Sequence, residues 1–391
     1  MAFDTSKISP LGFGCMRWEG RETDNVDLDS VAKMIDAYIA AGGNYFDTAW
    51  AYPNSEKTLG EVLVKRYPRD SFYIASKCVC WTHCKSEDDL ERQLQESLAA
   101  LGVDYLDVYL MHNLGGTRTA SFEKFNCWEF MKSVKERGLA KHIGFSAHCT
   151  PEELRGFIEQ YPEAELVQLQ VNYADWESPF FQERACVEIA HEAGLPIVVM
   201  EPVKGGLLAE PPAAVREVLD AGMPDDSYAT AALRFAASAP GVFTTLSGMN
   251  TLEQVLDNSR RFEHFEPLSA SEHAVIDKAR EAMNASSMVP CTSCDYCAKV
   301  CPQDIGISRA LSVLNQYIAY GDATKAKFQL GFVVRFNGGK NMPSKCIKCG
   351  VCEAACPQNI NIVDCLERIQ EEIVEVGGAG PILMRPKENV D

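Results

Sequence analysis

The stretch YFDTAWAYPNSEKTLGEVL, residues 45–63, opens on a strand candidate, Tyr45–Ala49, with Asp47 inside it and Tyr52 five residues further on. On either side of it, short apolar runs alternate with helical patterns. Leu11–Met16 precedes it, and Phe72–Lys77, Leu106–His112, His142–Ala147, Leu166–Tyr173, Pro196–Glu201 and Val242–Met249 follow. Helices are expected at Leu28–Ala41, Asp88–Leu101, Phe122–Glu136, Pro179–Ala193 and Ser227–Ala237. Strand–helix units repeated eight times over about 265 residues predict an α/β chain closing as a (β/α)8 TIM barrel rather than an open sheet. No GxGxxG follows the first strand, which speaks against a dinucleotide-binding open sheet.

Charged and hydroxyl side chains are costly in a core, and in such barrels the C-terminal strand ends carry the active site. Asp47, Tyr52, Lys77 at the end of FYIASK and His112 in YLMHN all fall at such positions. They come from strands 2, 3 and 4 and the loop after strand 2, so they can converge. Singly, each reads as an ordinary structural residue; all four in this order do not.

The C-terminal part carries a different signal. Cys291, Cys294, Cys297 and Cys301 precede Pro302, and Cys346, Cys349, Cys352 and Cys356 precede Pro357. Each run reads C-x2-C-x2-C-x3-C-P, the bacterial ferredoxin pattern for [4Fe–4S] clusters. The likeness to two-cluster ferredoxins implies that the last cysteine of each run serves the other cube. One cube then takes Cys291, Cys294, Cys297 and Cys356, and the other Cys346, Cys349, Cys352 and Cys301. A zinc site usually offers two CxxC pairs instead. Cys78, Cys80, His83 and Cys84 also bunch together, and plain thiols are the simpler account of them. Ile307–Ala319 reads as a helix, so the cluster module is mainly helical. The expected division is a barrel at 1–268, a linker helix at 269–288, a two-cluster ferredoxin-like domain at 289–370 and a tail at 371–391.

The net charge is −18, and residues 289–391 hold 11 Lys+Arg against 11 Asp+Glu, so all of it lies in residues 1–288. An acidic chain repels phosphate backbones, which argues against nucleic acid as partner. Lys325, Lys327, Arg335, Lys340, Lys345 and Lys348 around the cysteine runs offset the negative clusters, offer a docking face for an acidic redox partner, or form a solvated face. The start, MAFDTSKISPLGFG, has no basic and apolar leader pattern. No apolar run approaches the roughly 18 residues of a membrane helix. With many unpaired cysteines, a cytoplasmic protein is expected.

The segment FDTAWAYPNSEKTLGEVL, with the Lys and His that follow, resembles the signature of the aldo-keto reductases over residues 8–262, and with the cysteine runs the iron–sulfur subgroup of that family. The resemblance implies that Tyr52 donates a proton to a carbonyl oxygen as nicotinamide-derived hydride reaches carbon. It implies that Lys77, paired with Asp47, lowers the Tyr52 pKa, and that His112 orients and polarises the carbonyl. Ser146 and Gln168 match contacts to the nicotinamide amide, although Ala147 stands where the family often has Asn. The family's stacking ring often follows strand 7, where this chain reads MEPVKGGLL; Tyr173 lies after strand 6. Gly248, Met249 and Asn250 match the dinucleotide-phosphate region, with Gln254 and Asn258 as further contacts. Gln254 stands where NADPH-preferring members often carry Arg, so NADP(H) is the family default and NAD(H) the alternative. Glu201 and Lys204 point to the same rim, a salt bridge being their simpler reading.

Hydride carries two electrons and a cube accepts one, so joining the halves calls for an intermediary such as a flavin. No flavin fingerprint is evident. Three readings follow: a carbonyl reductase, or alcohol oxidase in reverse, whose clusters relay electrons to a partner; a carbonyl reductase with structural or redox-sensing clusters; and a non-enzymatic electron-transfer module. The intact four-residue set speaks against the third. Residues 113–121 and Trp176–Gln182 are expected to shape the pocket, with Trp18 and Trp50 either walling it or packing.

Overall fold

The computed structural model describes residues 3–21, 25–80, 84–178, 181–284, 289, 291, 296–336, 340–356 and 360–376. Cys294, His83 and the tail from Gly377 lie outside the described residues. The chain forms two compact units. One holds the residues up to Glu210 with Glu217–Asp277, the other Pro211–Arg216 with the residues from Lys278 on.

The first unit is a closed barrel of eight parallel strands in sequential order. They are β1 (Leu11–Gly14), β2 (Tyr45–Asp47), β3 (Tyr73–Cys78), β4 (Leu106–Leu114), β5 (Ala140–Ala147), β6 (Val167–Gln170), β7 (Ile197–Met200) and β8 (Val242–Ser247). β8 pairs back onto β1, with Gly12 opposite Leu246. Tyr45, Ala75, Val108, Leu110, Leu166, Val198 and Leu246 fill one interior layer with Ile8 against them. This is the packed, branched interior that keeps such a barrel from being a pore.

Each expected strand is present, with shifted ends. β1 stops at Gly14 because Cys15–Arg17 turns into a 3-10 helix. β4 runs on past His112, at the cost of a register shift between Met111 and Leu114 and a positive φ of 68° at Asn113. The expected helix Phe122–Glu136 is instead two, Thr119–Lys124 and Cys127–Glu136. Asn126 between them adopts φ 46°, which Asn tolerates better than most residues, and its Nδ2 donates to Glu87 at 2.7 Å. Local caps agree with the pattern elsewhere: Ser227 accepts from the Thr230 amide, and Thr150 and Glu153 form a capping box on Pro151–Gln160.

The second unit is helical among its described residues, with helices Ile307–Tyr320, Ala323–Leu330 and Ile362–Arg368 around one core. Gly321, at φ 70°, ends the first, and Asp322 caps the second. Ile307, Val313, Leu314, Leu330, Ile362 and Ile369 are fully buried there, and Cys297 and Cys352 belong to the same cluster.

Candidate active site and cluster pocket

Parallel registry brings five strand ends to one rim. Asp47 on β2 stands opposite Ala75, two residues before Lys77 on β3. Lys77 is opposite Leu110, two before His112 on β4, and Leu110 is opposite Gly144, two before Ser146 on β5. Ser146 is opposite Gln168 on β6. Because side chains alternate along a strand, these residues share the inward face.

The loop after β2 is fastened by its own hydroxyls. Thr48 and Ser55 share a 2.7 Å hydrogen bond, and the Ser55 hydroxyl donates to the Cys15 carbonyl at 2.8 Å. The Tyr52 amide closes a turn on the Ala49 carbonyl, and the Trp50 amide reaches the Lys77 carbonyl. These bonds carry Tyr52 back over the end of β3. Its ring centroid lies 5.2 Å from Lys77 Nζ and 5.5 Å from the His112 ring, edge to face with the latter.

Lys77 and Asp47 are 1 % and 3 % exposed. Lys77 Nζ donates to Asp47 Oδ1 at 2.6 Å and to the Thr48 carbonyl at 2.7 Å. Burial raises the Asp47 carboxyl, opposed by the Lys77 charge and hydrogen bond and by the Gln168 side chain. The Tyr52 phenol is pushed up, not down as the family pattern implies. Burial acts first, then the Asp47 and Glu201 carboxylates, with Arg17 pulling the other way. Lys77 is held by Asp47 and Thr48, and the phenol is in its protonated form. His112 is held well below the usual imidazole range by burial, then by Lys77, His148 and Arg118. It is therefore neutral at physiological pH.

Arg118 and His148 are residues the sequence reading did not assign. Arg118 is buried, donating from Nε to the Asn113 carbonyl at 2.7 Å and from Nη2 to the His148 carbonyl at 3.4 Å. His148 is pushed down to about 4 by burial and Arg118, with a Gln170 hydrogen bond opposing. Between about 4 and 6.5 the unfolded chain binds the proton that folded His148 refuses, so stability rises with pH there. His112 acts in the same direction. Unfolding free energies from urea titrations at pH 7 and pH 4.5 should differ by about 1–2 kcal/mol for His148, discounted because its ring is partly exposed. Replacing His148 by Gln should flatten that slope; an unchanged slope would contradict the assignment.

Of the matched cofactor positions, Ser146 is buried and its hydroxyl accepts from the Asn113 amide at 2.8 Å. Gln168 Oε1 and Asn113 Oδ1 are buried with no hydrogen-bond partner among the described residues. Gly248 and Asn250 are exposed and Met249 is buried at the start of helix Leu252–Phe262, which Thr251 caps. Asn258 donates to Ser247 Oγ at 3.0 Å. Gln254 turns back on its own helix, its Oε1 accepting from the Asn250 amide at 2.8 Å. Glu201 and Lys204 are both ion-paired, but with Arg17 and Asp175. Tyr173 is fully buried, edge-on to Phe235. Trp18 is core, and Trp50 donates to Glu96 at 2.8 Å, so neither is a plain pocket wall.

In the second unit, Cys301, Cys346, Cys349 and Cys352 line one pocket with Pro302, Ile305 and Leu366. Among the described residues no three His, Cys, Asp or Glu side chains converge tightly enough for a single ion. Four cysteines lining one pocket beside Ile305 and Leu366 supply the all-thiolate donor set that a cube of irons and sulfides takes. The surrounding lysines are largely in local pairs: Lys325 with Asp322, Lys340 with Asp304 and Lys348 with Glu367. No described helix is long and apolar enough to cross a membrane.

Comparison with known proteins matches this division. The family model described as "Aldo/keto reductase family" matches residues 10–281, and that of a "4Fe-4S dicluster domain" matches residues 290–361. An aldo-keto reductase of Bombyx mori, AKR2E4, is 27% identical over 205 residues, covering 50% of this chain and 63% of that protein. The uncharacterized oxidoreductase YqkF of Bacillus subtilis is 22% identical over 282 residues, 64% of this chain and 86% of its own. In fold, the chain resembles an aldo/keto reductase from Klebsiella pneumoniae solved with NADP and acetate. The TM-score is 0.56 and the identity 21%, over 69% of this chain and 91% of that one. A closed barrel with the four-residue rim, matched by family model over most of its length, places this chain in the aldo/keto reductase family, with a 4Fe-4S dicluster domain following the barrel in sequence.

Proposed function

We propose that the barrel reduces a small-molecule carbonyl, or oxidises the matching alcohol, with a nicotinamide cofactor, and that the second unit carries two [4Fe–4S] clusters. The observation that carries this reading is the convergence of Tyr52, His112 and the buried Lys77–Asp47 pair on one barrel rim. The nicotinamide, when bound, supplies hydride to the carbonyl carbon. Buried and unpartnered, Gln168 Oε1 suits the amide of such a ring, with Ser146 beside it, and the bare backbone of Gly248 suits the phosphates. NADP(H) is favoured by family likeness and NAD(H) is the alternative.

Tyr52 acts as proton donor at its phenolic oxygen, which stays protonated across the physiological range. Neutral His112 contributes a hydrogen bond to the carbonyl oxygen rather than a charge, so it orients and polarises without protonating. Lys77 and Asp47 are positioning residues: their pair fixes the floor under Tyr52. Cys301, Cys346, Cys349 and Cys352, which line one pocket, would hold one cube, and the ferredoxin pattern assigns Cys291, Cys294, Cys297 and Cys356 to the other. Each cube, when bound, would exchange one electron at a time with a redox partner; the hydride that reduces the carbonyl is not the source of those electrons, and coupling to the nicotinamide would need an intermediary such as a flavin.

The test uses the full chain purified anaerobically. Iron should approach eight per chain, and NADPH or NADH should be consumed with a panel of aliphatic and aromatic aldehydes and ketones. Visible cluster absorption should bleach within turnover time when reduced nicotinamide is added together with flavin. No turnover with any carbonyl would sink the reductase reading. Turnover without bleaching, with and without added flavin, would leave the clusters structural or redox-sensing.

A further inference from the structure

We propose that Cys78 and Cys127 are a redox-active dithiol, oxidised to a disulfide by a small-molecule disulfide that enters through Cys84 and Cys80, and that this bond turns the carbonyl site down. The bond is a property of the thiols alone; its effect on turnover rests on the reductase reading above. Neither the barrel rim nor the cluster pocket uses these four cysteines. Lys77 faces the barrel interior, so Cys78, the next residue of β3, faces the helix layer. There its Sγ lies 3.5 Å from Cys127 Sγ, a residue 49 positions away in the chain. Cys127 opens helix Cys127–Glu136, and Met131, one turn further along it, places Sδ 4.0 Å from Cys78 Sγ. Cys80 shares hydrogen bonds with Cys127, Cys78 and Cys84. Cys84 donates to the Val79 carbonyl at 3.3 Å and accepts from Gln93 Nε2 at 3.4 Å. Gln93, on helix Asp88–Leu101, also holds the Val79 amide and carbonyl, both at 2.9 Å. The sulfurs therefore form a chain from Cys84 through Cys80 to the Cys127–Cys78 pair.

Exposure gives that chain a direction. Cys78, Cys127 and Cys80 are buried, and Cys84 is partly exposed, so an oxidant in solution meets Cys84 first. The hydrogen bond from Cys80 lowers the Cys84 thiol, which suits it both to attack and to leave. Hydrogen bonds from Cys127 and Cys80 hold Cys78 below the usual thiol range as well, whereas burial pushes Cys127 up. The Cys84 thiolate attacks one sulfur of the small disulfide, whose S–S bond breaks and releases one thiolate with its electron pair. Cys80 gives up its proton, attacks Cys84 and releases the second thiolate. Cys127 then attacks Cys80 and displaces Cys84, and Cys78 attacks Cys127 and displaces Cys80. In sum, Cys78 and Cys127 lose two electrons and two protons, and the small disulfide takes up both to become two thiols. Each exchange joins sulfurs already in contact. Closing Cys78 and Cys127 from 3.5 Å to a bond of about 2.0 Å draws the end of β3 toward the helix. The adjacent Lys77 moves with it, and a misplacement of about 1 Å at a positioned group costs up to about 10²-fold in rate.

The full chain, purified anaerobically, is incubated with oxidised glutathione. Free thiols are then alkylated, and the peptides are mapped by mass spectrometry without reduction. A peptide pair joined through Cys78 and Cys127 is expected. Carbonyl turnover should fall by about ten- to a hundred-fold as that pair appears and return with dithiothreitol, while cluster absorbance stays constant. Cys84→Ser should slow formation of the bond by about ten-fold or more, because the buried thiols lose their exposed entry. Cys127→Ser should abolish the bond and leave turnover insensitive to oxidised glutathione. Cys84 is partly exposed, so its variant keeps the test alive if Cys127→Ser misfolds. Wild-type protein that forms no Cys78–Cys127 bond, or stops at a bond between Cys80 and Cys84, overturns the proposal. Equal loss of turnover in Cys127→Ser would place the sensitive thiols elsewhere and overturn the switch. If the bond forms in a chain that reduces no carbonyl, the reductase reading fails, and the dithiol stands without its effect on turnover.

Discussion

Tyr52→Phe should abolish carbonyl reduction, lowering kcat by about 10²–10⁴-fold, the range for removing a positioned proton donor. The phenol ring packs edge-on to His112 with the Lys77 ammonium 5.2 Å from its centre. Phenylalanine keeps both contacts and removes only the oxygen. Fold, cofactor affinity and cluster absorbance should therefore be unchanged, so the loss isolates proton transfer from architecture. Turnover at the wild-type rate would show that another group supplies the proton.

Lys77→Met should be the most damaging single change in the barrel for stability. Lys77 and Asp47 are almost wholly buried and joined at 2.6 Å, and the ammonium also serves the Thr48 carbonyl at 2.7 Å. Removing one partner of a buried pair leaves the other uncompensated, at about 3–5 kcal/mol. Asp47→Asn combined with Lys77→Met should recover part of that loss, since no charge remains buried. The sign with pH follows from Asp47, whose carboxyl burial already raises. Without Lys77, folded Asp47 holds its proton to higher pH than the unfolded chain does, so the variant loses stability as pH rises and regains it in acid. Urea unfolding of the single and double variants at pH 5 and pH 8 reads this directly. A double variant no more stable than Lys77→Met would mean that the carbonyl contact, not the charge pair, dominates.

The outcome differs along the chain for physical reasons. β1 through β8 were legible because buried parallel strands are short apolar runs and the helices between them repeat at a helical period. The break at Asn126 was not, because periodicity continues across it while the backbone turns left-handed to let the side chain reach Glu87, far off in sequence. The extension of β4 was equally hidden, since its cause is pairing of Leu114 with Ala147 on the neighbouring strand.

The same division runs through the site. The residues at 47, 52, 77 and 112, and the two cysteine runs with their fixed spacing, were readable from the order of the amino acids alone. Chemistry of that kind depends on which groups are present and how far apart they lie along the chain. What the tertiary structure alone decided is their electrical state and their unannounced neighbours. Lys77 is paired with Asp47, and burial, followed by the Asp47 and Glu201 carboxylates, raises the Tyr52 phenol. Burial first and Lys77 next hold His112 well below the usual imidazole range, with Arg118 from the loop after β4 adding to them. Arg17 and Glu201, 184 positions apart in the numbering, meet over glycines of two loops. Burial and Coulomb interaction depend on distance through space, and barrel closure sets those distances between residues the linear order keeps apart.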